Sequence, residues 1–304
     1  MAVINITSVD QPAPVLFLTE TEMNRFGLEP DVKSKIRAGS ASVEAQIMVS
    51  PEGNYISTGL LEMLGLPAVP SIRLRNDTTE NGLSGLQVGP IIAILVSRGK
   101  RHRHPPYSSQ NKLLLSFLSY CTKLNCPALV FSPDGVDMEN KKISGYYLKK
   151  APDGTFQWKT HSFPLPDIVY DRILFRSIER KKSTRKVTKF FASQEYIKSF
   201  NPKFLNKWET HLILCQNQEL RQHLPETIKY NGPANLAGFL SEHGTVYLKP
   251  VNGSLGVGPI GIPPCAQGYC YQYRTGKDTV TKTCRTSEEL WKELNSKLNH
   301  KVFI

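Results

Sequence analysis

Val246-Tyr-Leu-Lys-Pro-Val-Asn-Gly-Ser-Leu-Gly-Val-Gly258 is the stretch on which the reading of the fold turns. Thr245–Leu248 has the composition of a short strand, and it delivers Lys249 into a loop carrying Gly253, Ser254, Gly256 and Gly258. Glycines let main-chain N–H groups close around phosphate oxygens. Ser254 adds a hydroxyl donor, and Lys249 adds a point positive charge for the same phosphates. No Gly-Lys-Ser/Thr follows, so this is not a Walker A loop. The loop runs into Pro259-Ile-Gly-Ile262 and not into a helix, which argues against a Rossmann fingerprint. Strand, glycine loop, strand makes either a flap that folds over a nucleotide or a plain hairpin with a Gly-rich turn.

Outward from the loop, the last third reads as helices and hairpins. Phe204, Trp208, Leu212 and Cys215 share one helical face. Pro233 suits a first helical position, Leu236, Phe239 and Leu240 follow, and Gly244 suits the stop. Tyr269–Arg274 and Thr279–Cys284 flank Gly276 as a hairpin. Thr286-Ser-Glu-Glu289 fits a capping box for a helix carrying Leu290, Trp291, Leu294 and Leu298, and Val302-Phe-Ile304 starts a strand.

Residues 90–131 read as a βαβ unit. Ile91–Val96 and Ala128–Phe131 are apolar runs of strand length, and Leu113, Leu114, Phe117, Leu118, Cys121 and Leu124 between them keep helical spacing. Ile143–Lys150 and Thr155–His161 flank Pro152-Asp-Gly154 as a hairpin. The first segment is β-rich. Val43, Ala45, Ile47 and Val49 alternate onto one strand face, Pro51–Asn54 is a turn, Leu60, Leu61 and Leu64 mark a short helix, and Asn76–Gly85 reads as a loop.

The 304 residues carry a net charge of +12, 40% hydrophobic and 21% charged side chains, which excludes a disordered or fibrous chain. No apolar run approaches the roughly 20 residues of a spanning helix, and no secretory signal is visible, so a cytoplasmic protein is expected. The charge is local: residues 98–206 hold 21 basic and 8 acidic side chains, net +13, whereas 1–97 are at −4 and 207–304 at +3. Two basic runs, Arg98–His104 and Arg180–Lys189, account for much of it, as solvated surface or as contacts to an anionic partner. Neither run contains an aromatic residue, so a stacking platform for single-stranded nucleic acid is missing. Most of the six cysteines are expected to be reduced, and their spacing does not fit zinc.

Lys249-Pro-Val-x-Gly-Ser-x-Gly-x-Gly258 resembles the second phosphate lysine and flexible loop of the ATP-grasp superfamily. Lys207, opening a helix that leads to Leu224-Pro-Glu-Thr227, is similar to that family's first lysine and Pro-x-Thr arrangement. With Gly89–Ile94, Pro166–Ile173, Phe200–Trp208 and His223–Thr227 in order, the chain resembles the YheC/YheD family of endospore coat-associated ATP-grasp proteins. The resemblance implies an α/β fold: a β-rich N-terminal domain at 1–88, a pre-ATP-grasp βαβ domain at 89–200, and the first ATP-grasp lobe at 201–304. It implies ATP with Mg, held by Lys207, Lys249, Gly253, Ser254, Gly256 and Gly258, with no metal ligand assigned. It also implies spore coat components or an anionic acceptor as partners, deposition on the forming spore, and descent from ATP-dependent carboxylate ligases. The family continues into a hinge strand and a lobe with acidic magnesium ligands, so a chain ending at Ile304 is expected to be a truncated or degenerate form. A catalytically inactive spore protein is the alternative. Pro259, where the family has a pairing apolar residue, is expected to alter the strand edge.

Overall fold

The structure is a computed structural model that describes residues 3–79, 82–97, 107, 110–253, 258–276, 278–298 and 304. The chain divides into two compact units, Met1–Lys203 and Phe204–Ile304.

The first unit begins with a closed seven-stranded barrel. Around it run β1 (Val3–Val9), β5 (Tyr55–Ser57), β2 (Val15–Leu18), β4 (Ala41–Val49), β3 (Lys33–Ala38), β7 (Gly82–Val88) and β6 (Ser71–Thr79), and β6 closes on β1. Closure leaves no sheet edge to pair with another chain. Short helices α1 (Glu20–Phe26) and α2 (Thr58–Met63) connect strands, with Thr19 and Ser57 as side-chain N-caps. Alternation places Leu16, Leu18, Ile36, Ala45 and Ile47 inside.

Two expectations fail here. Asn76–Gly85 is not a loop, because β6 and β7 run through it as a hairpin with a register shift at Asp77/Thr78. Its polar side chains belong to a paired strand, and Asp77 accepts two hydrogen bonds from Arg37. Val49 is 40% exposed, so the buried alternation of β4 ends at Ile47.

The second part of this unit is a mixed sheet in the order β10 (Val136–Asp137), β11 (Lys142–Lys150), β9 (Ala128–Phe131), β8 (Ile92–Leu95), β13 (Ile168–Asp171) and β14 (Lys198–Phe200), with β12 (Phe156–Pro164) also paired to β11. Strands β8, β9, β13 and β14 are parallel, as the βαβ pattern requires. Helix α3 (Asn111–Lys123) is the crossover and buries Leu114, Leu118 and Cys121. After α4 (Arg176–Glu179), the basic run 180–189 lies mainly on α5 (Lys182–Ala192), which buries Thr184, Val187 and Phe191 and keeps its lysines and arginines exposed. The other run, 98–104, lies outside the described residues.

Arg37 ties barrel to sheet. Its guanidinium donates to both Asp77 oxygens (2.7 and 3.0 Å), to Asp167 Oδ1 (2.8 Å) and to Gly39 O (2.9 Å). Asp167 also accepts from the side chain of Gln87 and from Ile91 N. Burial works against the Arg37 charge, but its hydrogen bonds to the two carboxylates outweigh that and raise its pKa. Gly39, at φ 55°, lets the β3–β4 turn approach this joint, since a Cβ there would lie 2.0 Å from Leu165 O.

The second unit holds α6 (Lys207–Cys215), α7 (Gln218–Arg221), α8 (Pro233–His243), β15 (Val246–Leu248), β16 (Ile260–Ile262), β17 (Tyr269–Thr275), β18 (Asp278–Cys284) and α9 (Ser287–Leu298). The four strands form one antiparallel sheet in chain order. Its core includes Leu236, Leu248, Ile262, Tyr271, Leu290 and Leu294. Thr286 caps α9 by accepting from Glu289 N, while the Glu289 carboxylate turns back one residue further, to Arg285 N. Cys265 and Cys270 form a disulfide, their Cα atoms 5.5 Å apart; the other four cysteines are free. Among the described residues no helix is long and apolar enough to cross a membrane.

Candidate functional site

The site is built where α6 begins. Asn206 accepts from Glu209 N (2.8 Å), and Glu209 Oε2 accepts from Asn206 N (3.1 Å), a complete capping box. The box makes Lys207 the first helical residue. Lys207 N donates to Val251 O (3.1 Å), and its ammonium donates to Pro250 O (2.8 Å) and Gly253 O (3.0 Å). One predicted phosphate lysine therefore rests on the segment that follows the other.

Lys249 leaves β15 half-buried and exchanges both backbone hydrogen bonds with Ile304, N to O at 2.8 Å and O to N at 3.0 Å. β15 pairs antiparallel with β16 through Val246–Ile262, Tyr247–Gly261 and Leu248–Ile260, so 249–259 is a hairpin connection. Pro259 stands just before the first paired residue, Ile260, where its missing N–H is not needed. Gly258 has φ 93°, and a Cβ there would meet Pro250 Cγ at 3.0 Å, so this position requires glycine. Gly253 is described at the near end of the loop, whereas Ser254 and Gly256 lie outside the described residues.

A cavity of about 220 Å³ opens beside Lys249. Thr227, Tyr230, Leu236, Phe239 and Ile304 line it with the lysine, so the Leu224–Thr227 stretch reaches the second lysine through this space. The Tyr230 hydroxyl is buried without a hydrogen-bond partner among the described residues, and burial pushes its pKa up to about 12. It is therefore a neutral O–H donor at physiological pH. At the cavity's rim His243 Nε2 lies 3.4 Å from Glu226 Oε2 and 3.9 Å from Glu242 Oε2. Sequence reasoning missed Tyr230 and His243. Tyr230 stands outside any periodic segment, and His243 is an ordinary last-turn basic residue of α8.

ATP, the group implied by the resemblance, can be tested against these residues. The loop side offers lysine ammonium and glycine backbone, which suit phosphate oxygens. The cavity offers apolar walls and one hydroxyl donor awaiting an acceptor. The fit to a nucleotide is good on both counts. For magnesium, the clustered carboxylates among the described residues are the exposed Glu226 and Glu242 beside His243.

Residues 196–304 match the family model described as YheC/D like ATP-grasp. Over 173 residues the chain is 24% identical to the endospore coat-associated protein YheD of Bacillus subtilis (strain 168), a match covering 57% of this chain and 37% of that protein. The chain thus spans little more than a third of the length of the curated relative it matches. Among solved structures it is similar to the ATP-grasp ligase PsnB complexed with minimal precursor, at 13% identity and TM-score 0.34, covering 69% of this chain and 81% of that one. It is also similar to D-alanyl-alanine synthetase A from Vibrio cholerae O1 biovar eltor, at 14% identity and TM-score 0.33, covering 70% and 58%. The match to the YheC/D like ATP-grasp model thus falls on the last third of a mixed α/β chain.

Proposed function

We propose that this chain binds ATP through its second unit, with Lys207 and Lys249 on the phosphates and the Gly253–Gly258 loop, Ser254 and Gly256 included, closing over them. The observation that carries the reading is the seating of the Lys207 ammonium on Pro250 O and Gly253 O, which brings the two lysines to one loop. The family match at 196–304 supports it. Bound ATP, with its magnesium, supplies a transferable phosphoryl group. The residues of the chain position and neutralise: Lys207, Lys249 and the loop amides meet phosphate charge, Lys207 also holds the loop through Pro250 O and Gly253 O, and Leu236, Phe239 and the Tyr230 hydroxyl receive the base.

Isothermal titration with ATP and magnesium tests this. The parent chain should bind, and Lys249→Ala and Lys207→Ala should each weaken binding by about tenfold or more, since each removes a charge-assisted phosphate contact. No binding by the parent, or unchanged binding by Lys249→Ala, overturns the proposal.

Association with the spore coat is supported by the name of the Bacillus subtilis relative. A fluorescent fusion at the N-terminus should concentrate on forming spores, and uniform fluorescence overturns that part. The net +13 of residues 98–206 supports an anionic partner on the first unit. Ligase descent and a purely structural role separate on one measurement: ATP consumption abolished by Lys207→Ala favours the first, and ATP binding without consumption favours the second.

A further inference from the structure

We propose that the first unit carries a separate binding site for a small amphipathic anion, a ligand with an apolar body and one anionic head. The site is a cavity of about 450 Å³. That lies within the roughly 300–1,000 Å³ of small-molecule sites. Three separate pieces of chain wall it: the segment 67–72 leading into β6, the end of α3 with its turn into β9, and the β11–β12 hairpin.

The buried floor and the exposed part of the lining differ in chemistry. Ile72, Leu118, Leu148 and Phe163 are buried side chains of the floor. Cys126 joins them, and burial pushes its thiol up, so it lines the floor as a neutral group. Phe156 and Tyr147 add half-buried rings. The lining also takes in Lys123, Lys149 and Lys150, all exposed. No carboxylate occurs among the described residues that line the cavity. The acid nearest in the hairpin, Asp153, is engaged locally, accepting from Thr155 N (2.9 Å) and Thr155 Oγ1 (2.6 Å).

Three exposed lysines in a lining without a carboxylate raise the potential of the cavity, and an anionic head lowers it. A purely apolar ligand leaves that term unused, and a purely polar anion leaves the floor unfilled. Charge and floor together select a molecule with both parts. The site draws on the basic segment 98–206 and is independent of the nucleotide reading, whose lysines lie in the other unit.

Titration calorimetry on the full chain tests this with decanoate, decanol and phosphatidylglycerol vesicles. Decanoate should bind saturably, and decanol should bind about tenfold more weakly because it lacks the charge. Lys123→Ala/Lys149→Ala/Lys150→Ala should weaken decanoate by a similar factor and leave decanol unchanged. All three lysines are exposed, so the fold survives their replacement, and an unchanged melting curve verifies it. Ala68→Trp, on the exposed lip, should block both ligands by filling the opening. Equal binding of decanol and decanoate, an unaffected triple variant, or Ala68→Trp without effect each overturns the proposal. Vesicle binding without saturable decanoate binding also overturns it, in favour of a lipid surface.

Discussion

Helices α3 and α6 present similar apolar spacing and meet opposite fates. α3 puts Leu114 and Leu118 at 0% and 1% exposure, because a parallel sheet needs a helix over its face. α6 buries none of its side chains fully and leaves Leu212 at 46% and Ile213 at 49% exposure. What is well fixed in α6 is its first turn, where the capping box and the Lys207 contacts lie. Two cations, one in each unit, differ in the same sense. Arg37 donates to two carboxylates and ties β3 to Asp167, 130 residues further on. Lys207 donates to two main-chain carbonyls and ties a helix start to a loop. The first unit uses buried groups to hold its shape, and the second uses its helix to present an end.

Three substitutions test that contrast. Arg37→Met strands Asp77 and Asp167 without their shared cation and should cost about 3 kcal/mol of stability, read by urea denaturation. A loss below about 1 kcal/mol means that water replaces the arginine and that the joint is not closed. Next comes a matched pair. Leu118→Ala should cost about 3 kcal/mol through the cavity it leaves, and Leu212→Ala should stay within about 0.5 kcal/mol. Equal losses erase the distinction between the helices.

The smallest effect concerns Asp171. Burial raises its pKa, Glu179 adds to this, and the bond from Ile173 N opposes it. The folded state therefore keeps the proton to higher pH than the unfolded chain, and stability falls as pH rises through the window between the ordinary aspartate value and the raised one. Asp171→Asn keeps an acceptor for Ile173 N without the charge. Its melting temperature should exceed the parent's at pH 7, with the gap closing below about pH 4. A gap that persists in acid assigns the effect to packing.

Most elements were legible because their burial follows a period. Ile91–Val96, the α3 spacing and the Asp153-Gly154 and Gly276 hairpins all read correctly from local pattern. β6 and β7 were hidden because Asn76 and Asp77 are polar where a strand is half-buried, and what holds Asp77 is an arginine forty residues earlier. Val49 broke its alternation because β4 ends at the barrel rim, where the next buried residue is Ser50. At the site, the residue types of Lys249 and its glycines could be read locally. The approach of Lys207 to Gly253 spans 46 residues, and only the family resemblance linked them. Tyr230 and its unsatisfied hydroxyl left no trace in periodicity.

The reciprocal bonds between Lys249 and Ile304 give the second unit a built-in reporter. The amide proton of Ile304 is held by the carbonyl of the very lysine proposed to meet phosphate. Its exchange with deuterium therefore follows the opening of that short ladder, without any label on the lysine. A nucleotide that steadies Lys249 slows exchange at residue 304, a signal readable on unmodified protein.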